Sequence, residues 1–263
     1  MENKMLIFFD IDGTLLSSPL ADIPESAHIG IQRAREKGHI CMINTGRTLK
    51  LVGPEVTGKT EFDGLALGCG TMIIYREEIL LHETFSEEEA CRIIAGLRKY
   101  GIDACLEGSG NNFCDSDDRI FTEVFRRFIH GFDGLRYESY EKAPGHFDKF
   151  YAYADRREKM DAFRQEFEKR LDFVDRKGGY FEITPKGYSK ASAMRFMAEK
   201  LGISMEKTVA IGDSSNDIPM LECAGVGIAM GNSTEDVKEF ADFITTDVDK
   251  DGIWNALEWL GAL

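Results

Sequence analysis

The 263 residues are 43% hydrophobic, enough to bury a core in one large domain or two smaller ones. Acidic residues outnumber basic ones by 46 to 32, and the resulting net charge of −14 argues against nucleic acids and anionic membranes as partners. No apolar run reaches the roughly 18–20 residues that span a bilayer, the first nine residues are too short for a signal peptide, and Cys41, Cys69, Cys91, Cys105, Cys114 and Cys223 lack C-x-x-C spacing, so the expectation is a cytoplasmic protein with free thiols and no zinc site.

Met5 to Phe9 is an apolar run too short for a helix and reads as a buried strand ending at Asp10. Residues 24–37 have helical spacing and stop at Gly38, and Ile40 to Ile43 is a second apolar strand running into Asn44-Thr45-Gly46-Arg47. Leu65 to Leu67 predicts a third strand, and 72–75 with 79–82 a hairpin around Arg76-Glu77-Glu78. The character changes near residue 83. Ser86-Glu87-Glu88-Glu89 predicts a capping box opening a helix to Tyr100. A strand is expected at 103–107, a helix from Asp118 to His130, a strand from Lys149 to Tyr153, a helix from Arg156 to Leu171 and a strand from Tyr180 to Thr184. The strand–helix alternation then resumes: helix Lys190 to Leu201, strand Thr208 to Ile211, helix Ile218 to Ala224, strand Val226 to Ala229, and helices Glu235 to Ala241 and Ile253 to Leu260, whose Trp254 and Trp259 are expected to pack. The whole predicts an α/β fold, a doubly wound Rossmann-like parallel sheet core formed by 1–82 and 187–263, interrupted by an α+β domain at 83–186.

In such sheets ligands sit beyond the carboxyl ends of the strands, and that is where the chemistry-bearing residues fall. Asp10 and Asp12 stand two apart after a strand, with Gly13 permitting a tight turn; one carboxylate can attack phosphorus while the other handles the proton of the leaving oxygen. Gly212-Asp213-Ser214-Ser215-Asn216-Asp217 follows another apolar strand, with more polar groups than a helix cap needs. Thr45-Gly46 offers a hydroxyl and a backbone N–H to an anion. Lys190 at a helix start is opposed by the helix dipole, a placement that makes sense if it serves an anion. Any phosphate site in a chain this acidic needs its own positive charge, from a metal ion and basic side chains.

Taken in order, Asp10-Ile11-Asp12-Gly13-Thr14, Thr45-Gly46-Arg47, Lys190 and Gly212–Asp217 resemble the four motifs of the haloacid dehalogenase superfamily, most nearly its Cof-type phosphatases, across essentially the whole chain. The resemblance implies that Asp10 is the nucleophile, forming an aspartyl-phosphate, and that Asp12 is the general acid and then base. It implies that Thr45, Gly46, Lys190 and Asn216 bind the phosphoryl group. Mg²⁺ would be held by Asp10, the Asp12 carbonyl and Asp213, with Asp217 behind them. The inserted domain would be a cap selecting a small phosphorylated metabolite, in all expectation a sugar phosphate, with Glu182 and the Gly108–Asn112 loop as candidate contacts. A phosphosugar mutase and a non-catalytic phospho-metabolite-binding module are the alternatives on the same scaffold. The chain departs from the family pattern at Cys69-Gly70-Thr71, where Asn-Gly-Ala is common, at Ala191, where Gly is common, and at Asn44, where Ala is common.

Overall fold

The computed structural model describes residues 4–17, 22–130 and 136–263. Its elements run β1 (Leu6–Phe9), α1 (Glu25–Glu36), β2 (Ile40–Asn44), α2 (Pro54–Thr57), β3 (Gly64–Leu67), β4 (Met72–Tyr75), β5 (Glu78–His82), α3 (Glu87–Tyr100), β6 (Asp103–Glu107), β7 (Asn112–Cys114), α4 (Glu123–His130) and β8 (Tyr137–Ser139). They continue with β9 (Lys149–Tyr153), α5 (Arg157–Phe167), β10 (Leu171–Asp175), β11 (Tyr180–Pro185), α6 (Lys190–Leu201), β12 (Thr208–Gly212), α7 (Ile218–Cys223), β13 (Val226–Ala229), α8 (Glu235–Lys238), β14 (Phe243–Ile244) and α9 (Gly252–Trp259). The chain divides into two compact units, one of Met1–Arg47, Leu51–Leu81 and Ser189–Leu263, the other of Thr48–Lys50 and His82–Tyr188.

The first unit holds a sheet in the order β14-β13-β12-β1-β2-β3-β4-β5, parallel from β14 to β3 and closed by an antiparallel β3–β4 pair. The residues of β1 show why so short a run is a strand. Ile7 and Phe9 enter one apolar layer with Ile31 and Leu257, while Leu6 and Phe8 enter the opposite layer with Met194 and Met220. All four are fully buried, and burying each such side chain contributes about 1.5–3 kcal/mol. A helix of four residues could not bury every side chain in this way. The chain leaves β1 toward β2 and β3 on one side and returns to β12 and β13 on the other. The strand order therefore reverses between β1 and β12, where a ligand crevice opens in sheets of this class.

The second unit holds a sheet in the order β10-β11-β9-β6-β7-β8, antiparallel except for the β7–β8 pair. One face packs on α3 and α5 through Leu97, Phe150, Phe163 and Ile183.

Several expected boundaries move. The stretch Asp118 to His130 is not one helix: the Asp103 carboxylate accepts the N–H groups of Phe121 (2.8 Å) and Thr122 (3.0 Å) and the Thr122 hydroxyl (2.6 Å), holding the chain extended before α4 begins. The helix expected to reach Leu171 stops at Phe167, because Leu171 pairs with Pro185 and Phe173 packs against the aromatic core, in a strand that the expected elements lack. The Glu235 to Ala241 helix ends at Lys238 in tightened turns. Ser86 caps α3 by accepting the Glu89 N–H, but its hydroxyl donates to the Glu89 carboxylate, so the reciprocal half of the expected capping box is replaced. The β4–β5 turn is tighter than expected: Arg76 and Glu77 alone form it, both with positive φ, and Glu78 belongs to β5.

Candidate active site

The site grows out of the β1–β12 seam. Past the end of β1, the Asp10 N–H donates to the Ile211 carbonyl at 3.0 Å, so the parallel pairing carries Asp10 one residue beyond the strand and leaves it 4% exposed. The chain then turns back on itself, with the N–H groups of Thr14, Leu15 and Leu16 all donating to the Ile11 carbonyl. Gly13 makes this possible twice over: its φ is +86°, and a Cβ there would lie 2.2 Å from an Asp213 carboxylate oxygen. On the neighbouring strand end, Thr14 Oγ1 donates to Asp213 Oδ1 at 3.1 Å. Asp217, fully buried, accepts the N–H groups of Asp213 (3.0 Å) and Ser214 (2.9 Å) on Oδ2.

Lys190 occupies the first position of α6, whose start is fixed by a capping box between Ser189 and Ser192. The Asn44 side chain donates to the Lys190 carbonyl at 2.9 Å, so the departure at Asn44 ties the end of β2 to this turn. The Lys190 ammonium is 1% exposed and lies 2.6 Å from Asp10 Oδ1 and 2.5 Å from Asp217 Oδ1.

Asp10, Asp213 and Asp217 bring carboxylate oxygens within 4.8 Å of one another, so three negative charges face one ammonium. The imbalance registers in their protonation. Burial, then repulsion by Asp217, pushes the Asp10 carboxyl well above its ordinary range, against the pull of Lys190. Burial, then Asp217, pushes Asp213 up to about 7. Burial would lower Lys190, but Asp10 and Asp217 outweigh it and keep it an ammonium. Hard carboxylate oxygens with an uncompensated excess of two charges fit a divalent cation such as Mg²⁺.

Asp12 is not one of these three carboxylates. Its side chain is 62% exposed, and Arg47 grips it with Nη2 on Oδ1 at 2.6 Å and Nε on Oδ2 at 2.9 Å. Thr45, 1% exposed, accepts the Arg47 N–H on its hydroxyl at 3.1 Å, with Gly46 between them. The Asn216 side chain accepts the Ser214 hydroxyl at 2.6 Å. Glu182 lies in the second unit, 5% exposed and 2.8 Å from Lys149 Nζ. In the 108–112 loop, the Gly108 N–H donates to the Asn111 carbonyl, and Asn112 belongs to β7.

Two contributors escaped the sequence reading. Arg47 stood inside a quoted motif without a role. Asn232 donates to the Gly13 carbonyl at 2.8 Å and accepts the Val248 N–H at 2.9 Å, pinning the Asp12–Gly13 turn. The signal for Asn232 was its place just past β13, a further parallel strand end.

A family model described as haloacid dehalogenase-like hydrolase matches residues 7–257. Bacillus subtilis YkrA, described provisionally as a phosphatase, is 30% identical over the full length of both chains. The 5-amino-6-(5-phospho-D-ribitylamino)uracil phosphatase YcsE of Bacillus subtilis is 28% identical, over 96% of this chain and 94% of its own. Among solved structures, the subclass IIB sugar phosphatase BT4131 superposes with a TM-score of 0.83 at 27% identity, covering 99% of this chain and all of the other. With nearly its whole length matched and the acidic cluster at the sheet's reversal point, the chain belongs to the haloacid dehalogenase-like hydrolases.

Proposed function

We propose that this hydrolase is a Mg²⁺-dependent phosphatase that cleaves small phosphomonoesters through a phosphorylated Asp10. The observation that carries the reading is the buried Asp10 carboxylate held 2.6 Å from Lys190, beside two further carboxylates, at the seam of the sheet. Asp10 attacks phosphorus as the bond to the ester oxygen breaks, and Asp12 donates the proton that the leaving alkoxide takes. Water then attacks the aspartyl-phosphate, Asp12 receives its proton, and inorganic phosphate departs with Asp10 restored. Lys190, Thr45, Gly46 and Asn216 hold the phosphoryl oxygens, and positioning with charge neutralisation dominates this chemistry. Asp10, the Asp12 carbonyl and Asp213 would hold the metal, with Asp217 supporting them; Mg²⁺ supplies positive charge to offset the incoming phosphoryl oxygens.

The first unit serves as the catalytic core and the second as a cap that selects the substrate. Sugar phosphates are the class favoured by the likeness to BT4131. Glu182 and the 108–112 loop are assigned to the selecting surface. A panel of phosphorylated metabolites and p-nitrophenyl phosphate, assayed for phosphate release with and without Mg²⁺, tests the reading. Mg²⁺-dependent release by the wild type and its loss in a folded Asp10→Asn protein are expected. Undiminished turnover by Asp10→Asn would remove Asp10 as the nucleophile, and an isomerised sugar phosphate in place of free phosphate would identify a mutase.

A further inference from the structure

We infer that Arg47, buttressed by Glu55, is the positioning residue that aims the Asp12 carboxylate at the leaving oxygen; this rests on the role proposed for Asp12. Both hydrogen bonds made to the Asp12 carboxylate among the described residues come from Arg47, as a two-pronged pair at 2.6 and 2.9 Å. A side chain 62% exposed would otherwise sample several rotamers, and a proton donor must lie within hydrogen-bond reach of the atom it serves. A planar guanidinium fixes the plane as well as the position of a carboxylate, which an ammonium cannot do.

Arg47 is itself held from behind. Its Nη1 donates to the Leu51 carbonyl at 3.2 Å and to Glu55 Oε1 at 3.1 Å. Local sequence sets this up: Pro54 opens α2, Glu55 follows in its first turn, and a Cβ on Gly53 would lie 2.1 Å from a Glu55 carboxylate oxygen. Gly53 therefore leaves the space that lets Glu55 turn back to Arg47. The relay runs Glu55, Arg47, Asp12, and both Nη1 N–H groups of the guanidinium go to Leu51 and Glu55.

The test measures how steeply kcat/KM falls with leaving-group basicity across aryl phosphates from p-nitrophenyl to phenyl. A good leaving group needs little protonation and a poor one needs much. Arg47→Ala should cost about 10–100-fold on phenyl phosphate, part of what general acid–base catalysis supplies, and only a few-fold on p-nitrophenyl phosphate. Arg47→Lys should recover little, and Glu55→Gln should show a weaker version of the same steepening with an unchanged melting temperature. In an Asp12→Asn background Arg47→Ala should cost nothing further. Equal losses on all leaving groups, or full additivity with Asp12→Asn, would overturn the inference and make Arg47 a direct substrate contact. An Asp12→Asn enzyme as active as the wild type would instead remove Asp12 from the reaction, and Arg47's role with it.

Discussion

Each unit buries a lysine among carboxylates, and the two clusters balance their charge differently. In the second unit Lys149, 3% exposed, sits 2.7 Å from Glu107 and 2.8 Å from Glu182, which reach it from the strands flanking β9. Arg176 stands 3.9 Å from the other Glu182 oxygen, so a second cation joins the pairing. In the first unit Lys190 meets Asp10 and Asp217 at similar distances, but Asp213 joins them and the described residues bring no second cation into ion-pair contact with the three. Similar contacts therefore have different meanings. The Lys149 cluster meets its carboxylates with more than one cation, and the Lys190 cluster carries an excess of negative charge that a dication would offset.

The largest effect should come from removing each lysine. Taking one partner out of a buried ion pair typically costs about 3–5 kcal/mol, because the charges left behind are uncompensated. Lys190→Met and Lys149→Met should both lower the melting temperature strongly. The two should then part. Millimolar Mg²⁺ should recover much of the loss in Lys190→Met, about 3 kcal/mol at a hundredfold excess over its dissociation constant, and none in Lys149→Met. Thermal denaturation with Mg²⁺, with Ca²⁺ and with chelator reads this directly, and equal recovery in both variants would erase the distinction between the clusters.

The two clusters also differed in how far the sequence revealed them. Asp10 and Asp213 were legible because parallel strands are short apolar runs, and whatever follows such a run lies at one end of the sheet; Lys190 was legible as a cation at a helix start, against the dipole. The Lys149 cluster gave no such signal: Glu107, Lys149 and Glu182 are spread over three antiparallel strands, and only the register brings them together. The same limit hid β10, since Leu171 continues the four-residue spacing of Phe163 and Phe167 and the strand forms only by pairing with β11. The grip of Arg47 on Asp12 spans 35 positions, and the space Gly53 leaves lets Glu55 back it. Local pattern carries the strand ends, while long-range pairing carries what steadies them.

A smaller effect should separate the units by pH. Asp148 is almost wholly buried, and His82 Nε2 lies 3.1 Å from its Oδ1. Burial pushes its carboxyl up to about 6, against the pull of His82. A carboxyl raised above its unfolded value binds more protons folded than unfolded between about 4 and about 6, so stability falls as pH rises through that window and is level above it. At 1.36 kcal/mol per unit the ceiling is about 3 kcal/mol. Asp148→Asn keeps an acceptor for His82 and removes the titration. Its melting temperature should exceed that of the wild type at pH 7–8 and match it near pH 4, with or without Mg²⁺. A difference that Mg²⁺ abolishes would tie Asp148 to the Asp10, Asp213 and Asp217 cluster.

The smallest effect should come from Cys69, a neighbour of Lys190 in the unbalanced cluster. Its backbone lies at φ 56° and ψ 38°, a left-handed conformation that costs an L residue with a Cβ roughly 1–2 kcal/mol and that asparagine tolerates best after glycine. The thiol is 4% exposed. Cys69→Asn relieves part of the backbone cost and leaves the three carboxylates and one ammonium unchanged. A gain of about 0.5 kcal/mol is expected, one or two degrees in melting temperature for a chain of this size, with the same increment from Mg²⁺ as in the wild type. An altered Mg²⁺ increment would mean that the cluster's demand for a cation depends on the polarity of its surroundings as well as on its count of charges.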